Sequence, residues 1–255
     1  MEITQKTYLG KKYEYIYEDG VIKSDYYKDQ LIKYLPNVMS ELLKVKDKIK
    51  VLDMATGHGY TLVILSDFYN KHIDKIVAYD INPKAVKLAR TNVQRNNCPL
   101  HKIDFRIGSL YEPLMEDEKF DLIVSALPPV PINSDELEKM PEDIKVHHWI
   151  TSTAGTTGRD LLDGMIKNAF KYLNPNGVVI TAQADFQNAV QHTLDIMRKN
   201  SLNGERIGIP KSIKIKDTKL TWNRKEHISN LGYNFTEDKN GDEQFFVEVY
   251  RGIYL

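Results

Sequence analysis

"KIKVLDMATGHGY", residues 48 to 60, is the stretch on which the fold turns. Its first six residues have the length and apolar content of a short buried strand, and they end on an acid, Asp53. Gly57 and Gly59 then let the backbone turn tightly and approach a ligand closely. From Tyr60 to about residue 70 the pattern is helical. A strand that ends on an acid, turns through two glycines and opens a helix is the first half of a βαβ unit.

Working outward, Lys75 to Asp80 repeats the strand pattern and again ends on an acid. Asn82-Pro83 then starts a helix, asparagine capping free N–H groups and proline suiting the first helical position. Its apolar residues Ala85, Val86, Ala89 and Val93 fall on one face. Strands follow near 102–107 and 120–125, then a helix from about 158 to 173. A turn at Asn174-Pro175-Asn176-Gly177 leads into a fifth strand, Gly177 to Ala182. This alternation predicts an α/β fold, a parallel sheet with helices on both faces. "FFVEVYRGIYL" (245–255) reads as a final strand, and 213–223 as another, antiparallel at one edge. Before residue 48 the pattern predicts a hairpin around Asp19-Gly20 and a helix from about 24 to 44. Without repeats or a linker, 1–255 reads as one domain: an extension (1–47), a cofactor-binding core (48–185) and a C-terminal part (186–255).

Composition narrows the function. The 35 basic and 35 acidic residues cancel, so bulk charge does not favour nucleic acid as a partner. The single cysteine, Cys98, excludes an internal disulfide and a cysteine-rich metal site, and no metal is expected. No export signal and no run of about 18 apolar residues is present, so the expectation is a cytoplasmic protein without a membrane span.

In open α/β sheets, ligands bind beyond the carboxyl ends of the strands. Asp80, at such an end, suits the two hydroxyls of a ribose. The loop is not a dinucleotide fingerprint, because position 62 is leucine where G-x-G-x-x-G needs its third glycine. "DMATGHG" (53–59) instead resembles motif I of the class I S-adenosylmethionine-dependent methyltransferases, D/E-x-x-x-G-x-G. The resemblance runs from about 48 to 185 and implies a Rossmann-like sheet of seven strands, the last antiparallel. It implies S-adenosylmethionine as cofactor and S-adenosylhomocysteine as product. The donor's amino-acid end would then lie along Asp53, Met54, Ala55, Thr56, Gly57 and Gly59, and its ribose on Asp80. Ile81, Leu110 and Ala126 would border its base or sulfur. Ser109 stands where the family commonly has an acid for the adenine amino group.

"FDLIVSALPPVPI" (120–132) resembles the "DLIVSNPPYIP" segment of the HemK-like group, which methylates glutamine amides, and of adenine and guanine amino-methyltransferases. "TAGTTGRDLLDGMIKNAFKYLNPNGVVI" (153–180) resembles a second HemK segment. In that group an asparagine side chain and a backbone carbonyl beside the first proline hold the target N–H bonds. The prolines pre-organise the corner, and catalysis is mostly positioning. Aligned on the prolines, Leu127 replaces the asparagine, Val130 replaces the aromatic, and Ala126 is one extra residue. The catalytic candidates are therefore Leu127 and Pro128-Pro129 through their backbone. The alternative is that the prolines merely end the strand.

The connection 132–155 is long enough for a lid. It carries His147 and His148, candidate proton acceptors, and Trp149; a solvated pair beside a core anchor is the competing reading. The basic residues Lys211, Lys214, Lys216, Lys219, Arg224 and Lys225 suit an anionic substrate or a solvated face. In "SDYYKDQLIKYL" (24–35), Tyr26, Tyr27 and Gln30 are placed to line the site or the core. The reading is a methyltransferase acting on a nucleophile, favoured as nitrogen, of a small molecule or peptide. Residues 1–47 leave little room for a helical substrate-recognition domain. Three alternatives stand: HemK-like methylation of a protein glutamine or RNA base, a catalytically inactive cofactor-binding partner subunit, and a nicotinamide oxidoreductase disfavoured by the glycine spacing. The acceptor and the oligomeric state stay open.

Overall fold

The structure is a computed structural model; it describes residues 2–23, 25–132, 154–189, 192–218 and 222–255, with Asp135 and Glu138. A hairpin, β1 (Glu2–Tyr8) and β2 (Lys11–Tyr17), precedes the long helix α1 (Asp25–Leu42). Then come β3 (Ile49–Met54), α2 (Tyr60–Phe68), β4 (Ile73–Asp80), α3 (Pro83–Arg95), β5 (Ile103–Ile107) and β6 (Phe120–Ser125). The chain continues through α4 (Asp160–Tyr172), β7 (Leu173–Ala184), α5 (Thr193–Lys199), β8 (Leu202–Lys214), α6 (Trp222–Asn230), β9 (Thr236–Glu237) and β10 (Glu243–Tyr254).

The main sheet runs β5-β4-β3-β6-β7-β10-β8, with β9 attached to β10. Strands β3 to β7 are parallel, and β10 runs antiparallel between β7 and β8. Chain order reverses between β3 and β6, so the switch point falls beside the glycine loop. Consecutive apolar residues split between two layers, as a strand buried on both faces requires. Val51, Ile76, Leu122 and Val178 face the layer containing Leu31, Leu35 and Ile64, whereas Leu52, Val77, Ile123 and Val179 face Leu162, Met165 and Ile196. Among the described residues, no helix is long and apolar enough to cross a membrane.

Two expectations are corrected. The hairpin turns at Leu9-Gly10, where both φ angles are positive (45° and 86°), the geometry a two-residue hairpin turn requires. Asp19-Gly20 is a turn too, but it joins β2 to α1, and the Gly20 carbonyl accepts the Asn82 side chain at 2.7 Å. The edge strand is 202–214 rather than 213–223, because pairing with β10 fixes Leu202 to Lys214 and the chain then turns into a short 3₁₀ segment, Ile215–Asp217.

The hairpin is docked on α3 by two asparagines, of which Asn96 holds Glu14 N and O and Asn92 reaches the glycine loop. Asn92, buried on α3, accepts from Ile16 N at 2.7 Å and donates to Ile16 O (3.0 Å) and His58 O (2.8 Å). The extension 2–17 thus braces the back of the glycine loop.

Candidate active site

The parallel register puts the ends of β3, β4 and β6 at one edge. Met54 lies beside Tyr79 on one side and Ser125 on the other. The Ser125 hydroxyl donates to Met54 O at 2.9 Å, so the glycine loop and the proline corner start from adjacent, joined strand ends.

The loop leaves β3 through left-handed positions at Ala55, Gly57 and Gly59 (φ 57°, 58° and 83°). At Gly59 a Cβ would lie 2.9 Å from Ala89 Cα, so α2 can pack on α3 only from a glycine. Thr56 N donates to Tyr79 O at 2.9 Å, tying the loop to β4. Two acids bracket it. Asp53, buried, accepts the Thr56 hydroxyl at 2.6 Å. Asp80 accepts Gly57 N on one oxygen (2.9 Å) and Asn82 N on the other (3.0 Å).

Burial pushes the Asp53 carboxyl up to about 6; the Lys28 ammonium and the Thr56 hydroxyl oppose that rise, and the Asp80 charge adds to it. Asp80 is also raised by burial, against the backbone N–H groups of Asn82 and Gly57 and the Lys28 charge. Outside these acids the rim is apolar: Ile81 is 39% exposed and Ile107 57% exposed at the ends of β4 and β5. Leu110 sits at φ 46°, its carbonyl accepting the Tyr79 hydroxyl. Ser109 engages Glu112 through its backbone N–H at 3.3 Å.

The corner after β6 is built by distant residues. Ala126, half-buried, is the first residue beyond the strand, while Leu127, 7% exposed, belongs to the apolar layer with Tyr79, Tyr111 and Leu162. Pro128 is half-buried and Pro129 buried. Gly158 (φ 74°) passes so close that a Cβ there would sit 2.5 Å from Pro129 O. Beyond the prolines, Ala154 N donates to Val130 O and Ile132 N to Gly155 O, at 3.2 and 3.1 Å. Gly158 O in turn accepts Gln187 Nε2 at 2.7 Å. Behind it lies Arg159, 2% exposed, bonded to Asp163 Oδ1, Gln187 O and Thr193 Oγ1.

The fold and the loop pair together fit a nucleotide-bound group donor, and a family model described as a methyltransferase domain matches residues 45–231. The chain belongs to that family. It is an S-adenosylmethionine-dependent class I methyltransferase, and the relatives that it matches bear the names of the HemK-like glutamine methyltransferases. A ribosomal protein uL3 glutamine methyltransferase of Francisella tularensis is 30% identical over 57% of this chain and 45% of its own length. A putative protein N5-glutamine methyltransferase of Methanocaldococcus jannaschii is 33% identical over 58% of this chain and 67% of its own. The chain spans about half the length of the first of these and of a Koribacter versatilis release factor glutamine methyltransferase. In fold it is similar to the T. thermophilus 16S rRNA N2 G1207 methyltransferase solved with AdoMet and guanosine (TM-score 0.63, 13% identity, all of this chain and 50% of that one).

The residues present fit this donor. Gly57 leaves the loop backbone bare beside Lys28 Nζ, strand-end acids stand at 53 and 80, and Ile81 and Ile107 leave apolar surface at the same edge. Hydrogen bonds join Asp53, Thr56, Gly57 and Asp80 directly, and Tyr79 links Leu110 to the same loop. His147 and His148 lie outside the described residues. The concavity lined by Lys46, Lys50, Asp74 and Asp121 lies at the opposite, N-terminal end of the strands, away from every loop named above. Among the described residues no cluster of His, Cys, Asp and Glu could hold a metal. The basic stretch is engaged by acids: Lys214 pairs with Asp238 and Asp242, Lys216 with Asp242, and Lys225 with Glu243.

Two residues have roles that the sequence reading misses. Lys28, 4% exposed on α1, donates to Thr56 O at 2.6 Å. Its signal is its spacing: positions 28, 31, 35, 38 and 42 form the buried stripe of α1, so this lysine replaces a core residue. Arg159 has no such signal, because its partners lie 4 to 34 residues away.

Proposed function

We propose that the enzyme transfers a methyl group to a nitrogen of a peptide or small molecule, holding the acceptor through backbone carbonyls of the 126–128 corner. The observation that carries this is the Ser125–Met54 junction, which sets that corner against the donor loop with Ala126 and Leu127 where an amide side chain would stand. The donor supplies an activated methyl group on a sulfonium. The chain's part is to aim a lone pair at it: carbonyl oxygens accept the N–H bonds of the nucleophile, and Pro128-Pro129, braced by Gly158, keep those carbonyls fixed. Asp53 and Asp80 favour a cationic donor, and the apolar rim at Ile81 suits its base.

A second reading is methylation of a protein-borne glutamine, favoured by the names of the uL3 and release-factor relatives. An amide nitrogen needs both its N–H bonds held, and a site short of one partner discriminates against it. The test is mass spectrometry of the enzyme with isotope-labelled S-adenosylmethionine and, separately, peptide, metabolite and ribosomal-protein pools. Label on an amine of a peptide or metabolite supports the first reading; label confined to a glutamine side-chain amide supports the second. Because the Leu127 side chain is in the core, the amide is restored at its half-buried neighbour: Ala126→Asn should raise transfer to glutamine amides by about tenfold, the worth of one added hydrogen bond.

A further inference from the structure

We infer that Lys28 is the group that receives the α-carboxylate of the methyl donor, so that α1 contributes directly to the donor site. This goes beyond the acceptor reading above and stands on the placement of one ammonium.

Lys28 and Arg159 are both buried cations, as is Arg224, and the first two are treated differently. Arg159 is saturated, with a carboxylate, a carbonyl and a hydroxyl on its guanidinium. Lys28 has three N–H donors and, among the described residues, one hydrogen bond, to Thr56 O. No carboxylate among those residues lies within ion-pairing distance of it, although Asp53, Asp80 and Asp25 are near enough to act on its charge. An ammonium withdrawn from water without a partner is costly. The stripe of α1 offers Leu31, Leu35 and Val38 as examples of what the position would otherwise hold.

Its location says what it waits for. A Cβ on Gly57 would lie 3.0 Å from Lys28 Nζ, so the ammonium stands over the bare face of the glycine loop. The missing side chain is what lets the ammonium reach the loop backbone. The donor brings a sulfonium, an α-ammonium and one carboxylate. Asp53 and Asp80 answer its positive charges and hydroxyls, and neither answers the carboxylate. Lys28 is the buried cation beside them with donors to spare. A guanidinium committed to Asp163 is not.

The test compares two ligands by calorimetry. S-adenosylhomocysteine carries the amino-acid end; 5′-methylthioadenosine keeps the nucleoside and sulfur and lacks it. Lys28→Met keeps an unbranched side chain, one atom shorter, and removes its charge, so folding should survive, with the melting temperature as the check. The expected result is a loss of roughly 10- to 100-fold in S-adenosylhomocysteine affinity, the worth of a charged hydrogen bond, with methylthioadenosine affinity within about twofold of wild type. Lys28→Gln, which keeps donors without charge, should fall between. Equal weakening of both ligands would reduce Lys28 to a packing residue and overturn the inference, as would an unchanged affinity for S-adenosylhomocysteine. If the wild type bound neither ligand, the inference would fall together with the donor itself.

Discussion

The donor loop and the acceptor corner leave adjacent strand ends, yet they differ in how they are held in place. The loop 53–59 carries its own determinants, glycines that set the backbone and an internal Thr56–Asp53 bond, and is then tied to Tyr79, Asp80 and Lys28. The corner 126–131 is fixed from afar, by Gly158 against Pro129 O and by Gln187 behind Gly158. A ligand common to a family is served by parts that travel together in sequence. A substrate that differs between members is served by parts that can change independently. Among the described residues the side-chain hydrogen bond that joins the halves is Ser125 to Met54, while Leu127 shares an apolar layer with Met54 and Tyr79.

Gly158→Val should break the comparison most sharply. Its Cβ has nowhere to go but into Pro129 O, so the corner must shift. A shift of about 1 Å in acceptor position is worth on the order of 100-fold in rate. The expected outcome is a fall of that size in kcat/KM with S-adenosylhomocysteine affinity within about twofold of wild type. Equal losses in both would show that the halves are one mechanical unit.

Asp80→Ala strikes the other half. It removes the acceptor of Gly57 N and, on the role proposed for Asp80, a ribose partner, so affinity for S-adenosylhomocysteine should fall by about 1–3 kcal/mol. Methylthioadenosine, which keeps the ribose, should lose as much. Titration calorimetry of both ligands checks this, and a loss confined to S-adenosylhomocysteine would move Asp80 away from the ribose.

Legibility follows the same division. Strand periodicity and the acid–glycine pattern foretell β3 to β7, the final antiparallel strand and the joined cluster of Asp53, Thr56, Gly57 and Asp80. Each rests on neighbours in sequence or on a period of two or 3.6. The misplaced hairpin turn shows the limit: Asp19-Gly20 carries a stronger turn signal than Leu9-Gly10, and only the pairing of Tyr8 with Lys11 decides between them. The edge strand fails likewise, since isoleucines and lysines alternate through 213–216, beyond Lys214 where pairing with β10 stops. Leu127 reads as a site residue through its backbone when the prolines anchor the alignment, and that its side chain joins the core is a separate fact that the alignment does not carry. Lys28 and Gly158 matter through contacts with residues 28 and 29 positions away, which no local pattern encodes.

The last expected effect concerns Asp53 and sets stability against binding within the donor half, where the change is less than about tenfold per pH unit. Its carboxyl, raised to about 6 by burial, stays protonated in the folded state at a pH where the unfolded chain has already ionised. The folded state then binds more protons, so this group's contribution to stability is full below about pH 4 and is lost as pH rises through about 6. The loss is on the order of 2 to 3 kcal/mol, because each tenfold change in the ionisation equilibrium is worth about 1.4 kcal/mol. Asp53→Asn should abolish that portion of the pH dependence in urea titrations from about pH 4 to 7. Binding runs the other way. A donor with net positive charge prefers the ionised carboxylate, so S-adenosylmethionine affinity should rise with pH through about 6, by less than about tenfold per pH unit for a single group. Lys28 opposes the rise in the Asp53 value, so Lys28→Met should carry the midpoint of both profiles to higher pH. A midpoint that stayed put would mean that the ammonium and the carboxylate do not sense each other across the glycine loop.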